Sequence, residues 1–229
     1  MSFGPQARVA LYYAPAADDP LWQAGTAWLG RDPASGAGCS QPPVAGLAAI
    51  TAEARRYGFH ATLKPPMRLR AGLGWADLRS AAAEIAAAVP VFTLPRLEVA
   101  DLDGFLALRE TTPCPPLQAL ADLSVAIADP LRAPPDRDEL ARRRASVRSP
   151  AQAANLVRWG YAHVFTAWFF HMTLTRRLDD AERARLQPQA EAYFAPALTV
   201  RRLVADIALF VQPDAAADFI LTERFTLRG

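Results

Sequence analysis

Two histidines of this chain stand in the same short pattern: an aromatic residue, histidine, any residue, threonine and leucine. His60 and Thr62 form the first copy, and His171 and Thr173 form the second, 111 positions later. The chain has three histidines, so this pattern holds two of them. An imidazole titrates near pH ~6.5, so one ring can accept a proton while the other donates one. The repeated pattern predicts general acid–base catalysis by the pair.

The spacing of each copy predicts one polar and one apolar face. On a β-strand, alternate side chains point the same way. One face then carries the polar residues His60, Thr62 and Lys64 in the first copy, and His171, Thr173 and Thr175 in the second. The opposite face carries apolar residues that belong in a core, namely Phe59, Ala61, Leu63, Phe170, Met172 and Leu174. We expect the two polar faces to form the floor of a cleft.

The repeated motif resembles the mark of the two-histidine (2H) phosphoesterase superfamily, a pair of His-x-Thr/Ser-x motifs. The finer resemblance, over nearly the whole chain, is to an uncharacterised branch named for phosphonate metabolism. It rests on both motifs and on the stretches 21–32, 56–64, 105–108, 140–144 and 159–161. The resemblance implies a LigT-like α+β fold of two pseudo-symmetric lobes, with antiparallel sheets lining a central cleft and helices outside. It also implies a phosphodiesterase that opens a small cyclic phosphate ester, here a cyclic phosphoribosyl compound or a related sugar phosphate in phosphonate metabolism.

Phosphoester chemistry gives the other motif residues a role. The hydroxyls of Thr62 and Thr173 can donate hydrogen bonds to phosphoryl oxygens, and Lys64 can add positive charge. Zinc would need three or four close ligands, and the motifs supply two histidines. We therefore predict a site with no metal and no cofactor. Further candidates for the substrate pocket are Arg56, Tyr57, Tyr161, Thr175 and Arg177.

Other interpretations stay open from the sequence. Within the same class, the chain could act on nucleoside 2′,3′-cyclic phosphates or on 2′-5′ RNA ends, as a phosphodiesterase or a ligase. From another class, it could bind a nucleotide or phosphosugar without turnover. We interpret His163 as structural or at the rim of the site. The basic run 142–144 is interpreted as a solvated helix face, although it could meet RNA.

Composition narrows the class of protein. Hydrophobic residues make up 52% of the 229 positions, which excludes disorder. No apolar run reaches the length of a membrane span, and the first residues lack the features of a signal peptide. Cys39 and Cys114 are too few for a disulfide framework. A net charge of +2 does not favour long nucleic acid as a partner. We predict a cytoplasmic protein with a small-molecule substrate; the oligomeric state is not predicted.

Periodicity and turn residues predict one bilobal domain over 1–229. The lobe-forming halves are approximately 1–112 and 113–229, and exchange of strands between them is left open. Each half contains a motif strand, a helix and a pair of strands. Predicted strands are 8–13, the segment from the first motif to Pro65, 91–101, 105–109, 165–175, 198–211 and 218–227. Predicted helices are 20–30, 75–89, 117–128, two within 134–159, and 179–194, and 31–46 is predicted to be a loop.

Overall fold

The chain folds into an α+β structure with antiparallel sheets, as predicted. The computed structural model describes Gly4, residues 6–145 and residues 147–229. Its helices are α1 (Pro20–Leu29), α2 (Leu47–Ile50), α3 (Ala52–Tyr57), α4 (Trp75–Ala88), α5 (Pro115–Ala128), α6 (Arg137–Arg144), α7 (Pro150–Trp159) and α8 (Asp180–Leu198). Its strands are β1 (Arg8–Tyr13), β2 (Ala61–Met67), β3 (Phe92–Leu94), β4 (Leu97–Asp101), β5 (Leu106–Glu110), β6 (Met172–Thr173), β7 (Arg202–Val204), β8 (Asp206–Gln212) and β9 (Ile220–Thr226).

Local capping explains why several helices lie where the sequence predicts them. The side chain of Asp19 accepts a hydrogen bond from the Leu21 amide at 2.7 Å, and Pro20 occupies the first turn of α1. Gly30 ends this helix with a φ of 82°. At α8, Asp179 and Glu182 form a capping box. Side-chain caps of this kind are visible in the sequence.

Three predicted elements were wrong in extent. The segment 165–175 contains a 3₁₀ turn at Phe165–Ala167 and only two strand residues, because β6 pairs over a short register with its neighbours. The segment 91–101 is two strands, β3 and β4, separated at Pro95, which lacks an amide donor. Helix α8 continues to Leu198, four residues beyond the predicted end. The short helices α2 and α3 were not predicted.

Seven strands form one sheet in the order β4-β5-β6-β2-β1-β8-β9, and every pairing is antiparallel. Two parts of this sheet, β4-β5-β6 and β2-β1-β8-β9, join at a single register pair, Ala61 with Met172. Strands β3 and β7 form a separate two-stranded sheet. Strand β6 comes from residues 113–229 and pairs with β5 from residues 1–112. Strand β1 likewise pairs with β8 of the other half.

The main core lies between one face of the sheet and the helices. It contains strand residues such as Val9, Leu11 and Leu63, together with buried residues of α1, α4, α5 and α8. The six apolar motif residues predicted for the core, Phe59, Ala61, Leu63, Phe170, Met172 and Leu174, are each at most 1% exposed. The side chains of His60, Thr62, His171 and Thr173 therefore lie on the other face of the sheet. That second face carries the candidate site.

Candidate active site

The two motifs lie side by side on neighbouring antiparallel strands. Ala61 of β2 is paired with Met172 of β6. Continuing this register places His60 opposite Thr173, and Thr62 opposite His171. Directly opposite residues of an antiparallel pair have Cβ atoms about 4.5–5.5 Å apart. The four polar side chains therefore form one compact group on the cleft face of the sheet, with each histidine facing the threonine of the other motif.

His60 is held by the turn that leads into β2. Helix α3 ends at Gly58, whose φ of 79° and ψ of 176° suit glycine. The next residue, Phe59, points into the core, so His60 points to the cleft. Its Nδ1 lies 2.8 Å from the Gly58 carbonyl oxygen, so Nδ1–H donates to that oxygen. Its Nε2 is then the basic atom, 3.3 Å from the Thr62 hydroxyl.

His171 has the same local arrangement. Its Nδ1 lies 3.2 Å from the carbonyl oxygen of Phe169, again two residues before the histidine. This bond fixes the same tautomer, with Nε2 as the atom available for proton transfer. Trp168 connects the two motifs, because its indole N–H donates to the Thr62 carbonyl oxygen at 2.9 Å. The two histidines are thus oriented by equivalent backbone acceptors.

Aromatic rings surround each imidazole in a different way. Tyr12, which is fully buried, stacks on His60 with ring centroids 3.7 Å apart and an interplanar angle of 22°. His171 stacks on Phe169 at 4.7 Å, and the edge of Phe105 approaches it at 6.0 Å. Phe169 itself is 43% exposed. His60 therefore sits on a buried ring, whereas His171 sits on an exposed one.

Burial lowers the pKa of both histidines. For His60, burial and then the nearby charge of His171 lower the pKa to about 4, against the opposing effect of the bond to Gly58. For His171, burial lowers the pKa, the bond to Phe169 opposes this, and the charge of His163 lowers it further. A neutral imidazole is favoured at both positions when the site is empty.

Two adjoining cavities open on the motif residues. One, of about 630 Å³, is lined by His171, Thr62 and aromatic residues that include Phe105, Trp168 and Phe169. The other, of about 430 Å³, is lined by His60, Thr62 and Thr173, and by Tyr12, Tyr57 and Arg8 among others. We call the first the His171 cavity and the second the His60 cavity. Both cavities share Thr62, Phe105, Tyr161 and Arg177. A ligand at Thr62 can therefore reach both histidines.

Most of the additional pocket candidates border these cavities. Tyr57 lines the His60 cavity, and Tyr161 and Arg177 line both. The Arg177 guanidinium donates to Asp103 Oδ2 at 3.1 Å. Thr175 borders the His60 cavity but is 1% exposed, and its hydroxyl accepts a hydrogen bond from the Leu106 amide at 2.9 Å. This bond connects the segment that follows β6 to β5.

Two of the predicted residues lie away from the cavities. Lys64 is 1% exposed, and its ammonium donates to Asp129 Oδ1 at 2.8 Å. Burial lowers its pKa to about 8, with Asp129 opposing the shift. The predicted phosphate contact is corrected, because this side chain makes a buried ion pair. Arg56 donates to the carbonyl oxygen of Ala215 at 2.7 Å and lies outside both cavity linings.

The sequence did not point to three residues that line the site. Tyr12 and Arg8 lie on β1, whose apolar composition predicted only a buried strand. Arg143 belongs to the run interpreted as a solvated face, yet it turns inward while Arg142 and Arg144 are exposed. His163, which was interpreted as structural or at the rim of the site, lines the His171 cavity. The period-2 pattern of Arg8, Ala10 and Tyr12 on one face of β1 was the available signal.

No group of three or more His, Cys, Asp and Glu side chains that could hold a metal ion occurs among the described residues. Within the same part of the chain, no helix has the length and apolar character needed to cross a membrane.

Substituting Gly58 by alanine tests how the turn positions His60. A Cβ there would lie 2.6 Å from two Pro33 side-chain atoms, at a backbone conformation that costs about 1–3 kcal/mol for other residues. Because the Gly58 carbonyl orients His60, we expect kcat to fall by up to ~100-fold. Gly36→Ala is the control, since Gly36 has a φ of 76° and open space around it. Equal kcat values for the two variants in a phosphoester assay would contradict this role of Gly58.

The sequence of the chain is similar to a protein family and to two named proteins. The family described as "Protein of unknown function (DUF1045)" matches residues 62–220. A protein of Janthinobacterium sp. (strain Marseille) named ribose 1,5-bisphosphate phosphokinase PhnN is 38% identical over 231 residues, covering 97% of this chain and 51% of that protein. A protein of the same name from Laribacter hongkongensis (strain HLHK9) is 36% identical, covering 93% of this chain and 50% of that protein. The chain thus spans about half the length of these relatives.

Comparison with solved structures matches the chain to E. coli LigT in complex with 3′-AMP, among others. That comparison has a TM-score of 0.46 at 17% identity and covers 99% of this chain and 100% of LigT. A structure described as a phosphoesterase gives a TM-score of 0.44 at 14% identity, covering 98% of this chain and 100% of that one.

Proposed function

From the premise that the chain belongs to the DUF1045 family, we propose that it is a metal-independent phosphodiesterase that hydrolyses a small cyclic phosphate ester. The family and the two relatives fit the two-histidine phosphoesterase branch that the sequence resembles. One observation carries the proposal: Ala61 pairs with Met172 between neighbouring strands. Continued by one residue on each side, this register sets His60 opposite Thr173 and His171 opposite Thr62. This arrangement provides two proton-transfer groups and two hydroxyl donors around one point.

The geometry supports an in-line displacement at phosphorus. The phosphoryl group binds between Thr62 and Thr173, whose hydroxyls donate to its non-bridging oxygens. One Nε2 takes a proton from the attacking water, and the other gives a proton to the ring oxygen that leaves. The product is a phosphomonoester with a free hydroxyl on the neighbouring carbon. Both tautomers are fixed by the bonds to Gly58 and Phe169, so no ring has to rotate.

We assign His60 as the base and His171 as the acid. His60 stacks on the buried ring of Tyr12, and burial keeps its neutral form dominant down to about pH 4. A neutral ring is what the attacking water requires. His171 stacks on the exposed Phe169 and borders the larger cavity, where the body of the substrate and its leaving oxygen fit. A bound phosphate anion favours the protonated form of this second ring.

The relatives suggest the substrate. They are named for a phosphokinase that acts on ribose 1,5-bisphosphate. A nucleotide-binding P-loop needs a Gly-Lys pair, whereas the single lysine of this chain follows Leu63 and is paired with Asp129. We therefore assign no kinase activity to this chain. We propose that it opens a cyclic phosphate of ribose to give ribose 1,5-bisphosphate, as a step of phosphonate metabolism.

A nucleoside 2′,3′-cyclic phosphate is the second candidate substrate. The aromatic rings of Phe105, Tyr161, Trp168 and Phe169 line the His171 cavity, and aromatic side chains stack on nucleobases. The same rings suit the apolar face of a sugar. Turnover of adenosine 2′,3′-cyclic phosphate in preference to ribose cyclic phosphates would favour the nucleotide substrate.

A panel of cyclic phosphates tests the function directly. The purified protein is incubated in EDTA with ribose 1,2-cyclic phosphate, its 5-phosphate and adenosine 2′,3′-cyclic phosphate, and products are followed by ³¹P NMR. We expect a phosphomonoester from the 5-phosphate with no added metal. The variant carrying both His60→Ala and His171→Ala is the control. Binding without turnover of any compound would favour a binding protein, and activity restored only by a divalent ion would replace this mechanism.

The pH dependence of kcat/KM follows from the two pKa shifts. The base must be neutral, so the rate rises with pH through a pKa of about 4. The acid must be protonated, so the rate falls above the pKa of His171, which burial lowers from its ordinary value of about 6.5. We therefore expect a bell-shaped plot of kcat/KM against pH, with its maximum below pH ~6.5. Because the two histidines interact, the two apparent pKa values of this plot belong to the pair. A profile that is flat from pH ~5 to ~9 would contradict histidine acid–base catalysis.

A further inference from the structure

The lining of the His60 cavity carries more positive charge than one phosphoryl group requires. Four arginines line it, and the one carboxylate among its lining residues is Glu53. Three of these arginines have carboxylate partners: Arg143 pairs with Glu139, Arg176 with Glu182 and Arg177 with Asp103. The fourth, Arg8, has no carboxylate partner among the described residues.

Arg8 carries a charge that no carboxylate among the described residues balances within ion-pair distance. Its Nε donates to Gln212 Oε1, a neutral acceptor, at 2.6 Å. Its guanidinium carbon lies 5.3 Å from the ring centroid of Phe219. Arg8 is on the same face of β1 as Tyr12, four residues earlier, so its guanidinium reaches the cavity from the end away from the motif threonines.

Arg143 lies at the same cavity and is 17% exposed. It donates to the carbonyl oxygens of Pro66, at 3.0 Å, and Gly160, and its guanidinium carbon lies 5.8 Å from the centroid of the Tyr161 ring. Its carboxylate partner, Glu139, also pairs with Arg68. Burial lowers the pKa of Arg143, and the charges of Arg132 and Arg8 lower it further, whereas Glu139 opposes the shift. Both arginines line the same cavity.

The surrounding ion pairs leave the Arg8 guanidinium without a carboxylate partner among the described residues. The cluster beneath the cavity contains five cations, Arg8, Lys64, Arg68, Arg132 and Arg143, and three carboxylates, Asp129, Asp136 and Glu139, among the described residues. Partly buried charges of one sign are costly unless a counterion joins them. A phosphate dianion would supply two negative charges, and the planar guanidinium fork suits its oxygens.

We propose that Arg8 and Arg143 bind a second phosphoryl group of the substrate. This inference rests on the proposed function and assigns two residues to the 5-phosphate of its ribose substrate. The cyclic ester lies at Thr62 and Thr173, the sugar lies along the cavity wall formed by Tyr161 and Pro66, and the second phosphate lies between the two guanidinium groups. Both anionic ends then contact the same 430 Å³ cavity.

Binding of ribose 1,5-bisphosphate and ribose 1-phosphate, measured by calorimetry, tests the site without requiring turnover. We expect the wild type to prefer the bisphosphate. Arg8→Gln should reduce this preference about 10- to 100-fold, the usual value of hydrogen bonds to a charged group. Arg8→Lys should keep part of the preference. The control is Arg201→Gln, since Arg201 is exposed and bonds to Thr93 Oγ1, outside both cavity linings.

The outcomes separate this inference from the proposed function. An unchanged preference in Arg8→Gln, with a normal thermal melt, would overturn the second-phosphate site even if cyclic phosphates are hydrolysed. No preference in the wild type would overturn it as well. A preference that depends on Arg8 in a protein that hydrolyses no cyclic phosphate would support the site and reject the enzyme. Arg143→Gln, checked for folding by its melt, should reduce the preference in the same direction.

Discussion

Replacing either motif histidine by alanine is expected to reduce hydrolysis of the cyclic phosphate by about 10²–10⁴-fold. Each substitution removes one of the two Nε2 atoms that carry protons in the displacement. The variant with both His60→Ala and His171→Ala should be little slower than either single variant, because residues that act as a unit are not additive. Single-turnover rates for the three variants and the wild type measure this directly.

Folding must be measured beside these rates. Both histidines lie on the cleft face and add little to the core, so their variants should melt close to the wild type. If either variant melts early while keeping its specific activity, that histidine is structural and the catalytic assignment is wrong.

A charge placed at Leu174 is expected to unfold the protein, whereas a change at its neighbour Thr173 is expected to affect only activity. Leu174 is fully buried, and its carbonyl oxygen accepts a hydrogen bond from the Trp28 indole at 3.0 Å. Leu174→Asp would bury an unpaired carboxylate and lower the free energy of unfolding by about 4 kcal/mol or more. Ala61→Asp should act in the same way. Thr173→Val should keep the fold and lower kcat about 10- to 1,000-fold, because one donor to the phosphate is lost.

Denaturant unfolding and hydrolysis of the two variants separate the two faces of the motif strand. Leu174→Met is the control, since a volume-conserving change in the core costs under about 1.5 kcal/mol. A folded and active Leu174→Asp variant would show that this residue does not face the core, and the assignment of faces would be wrong at both motifs.

The sequence predicts the direction in which each side chain of the motif strands points, but it does not predict which strands lie next to each other. Alternation alone predicts that Phe59 and Leu63 are buried, and both are fully buried. The same rule cannot say which strand lies beside β2, because a period of two fixes only the side toward which each residue points. The register of Ala61 with Met172 depends on contacts more than a hundred positions apart. The opposition of each histidine to the other threonine therefore required the structure.

Lys64 and Arg143 illustrate the same limit for charged residues. Lys64 is on the polar side of the motif by spacing, but Asp129 lies 65 positions away in sequence and pairs with it inside the protein. Arg143 belongs to a helix with no buried residues, so nothing in α6 distinguishes it from Arg142. Its inward position follows from acceptors on distant segments, the carbonyl oxygens of Pro66 and Gly160. Pairing of this kind is tertiary and leaves no local pattern.

Hydrolysis of ribose 1,2-cyclic phosphate 5-phosphate in ¹⁸O-labelled water tests the central claim most directly. The wild type, treated with EDTA, should release ribose 1,5-bisphosphate with one ¹⁸O atom in the new phosphomonoester, because water attacks phosphorus. The variant with both histidines replaced by alanine should release almost none. Labelled product formed equally fast by that variant, or no product from the wild type with any cyclic phosphate, would contradict catalysis by His60 and His171.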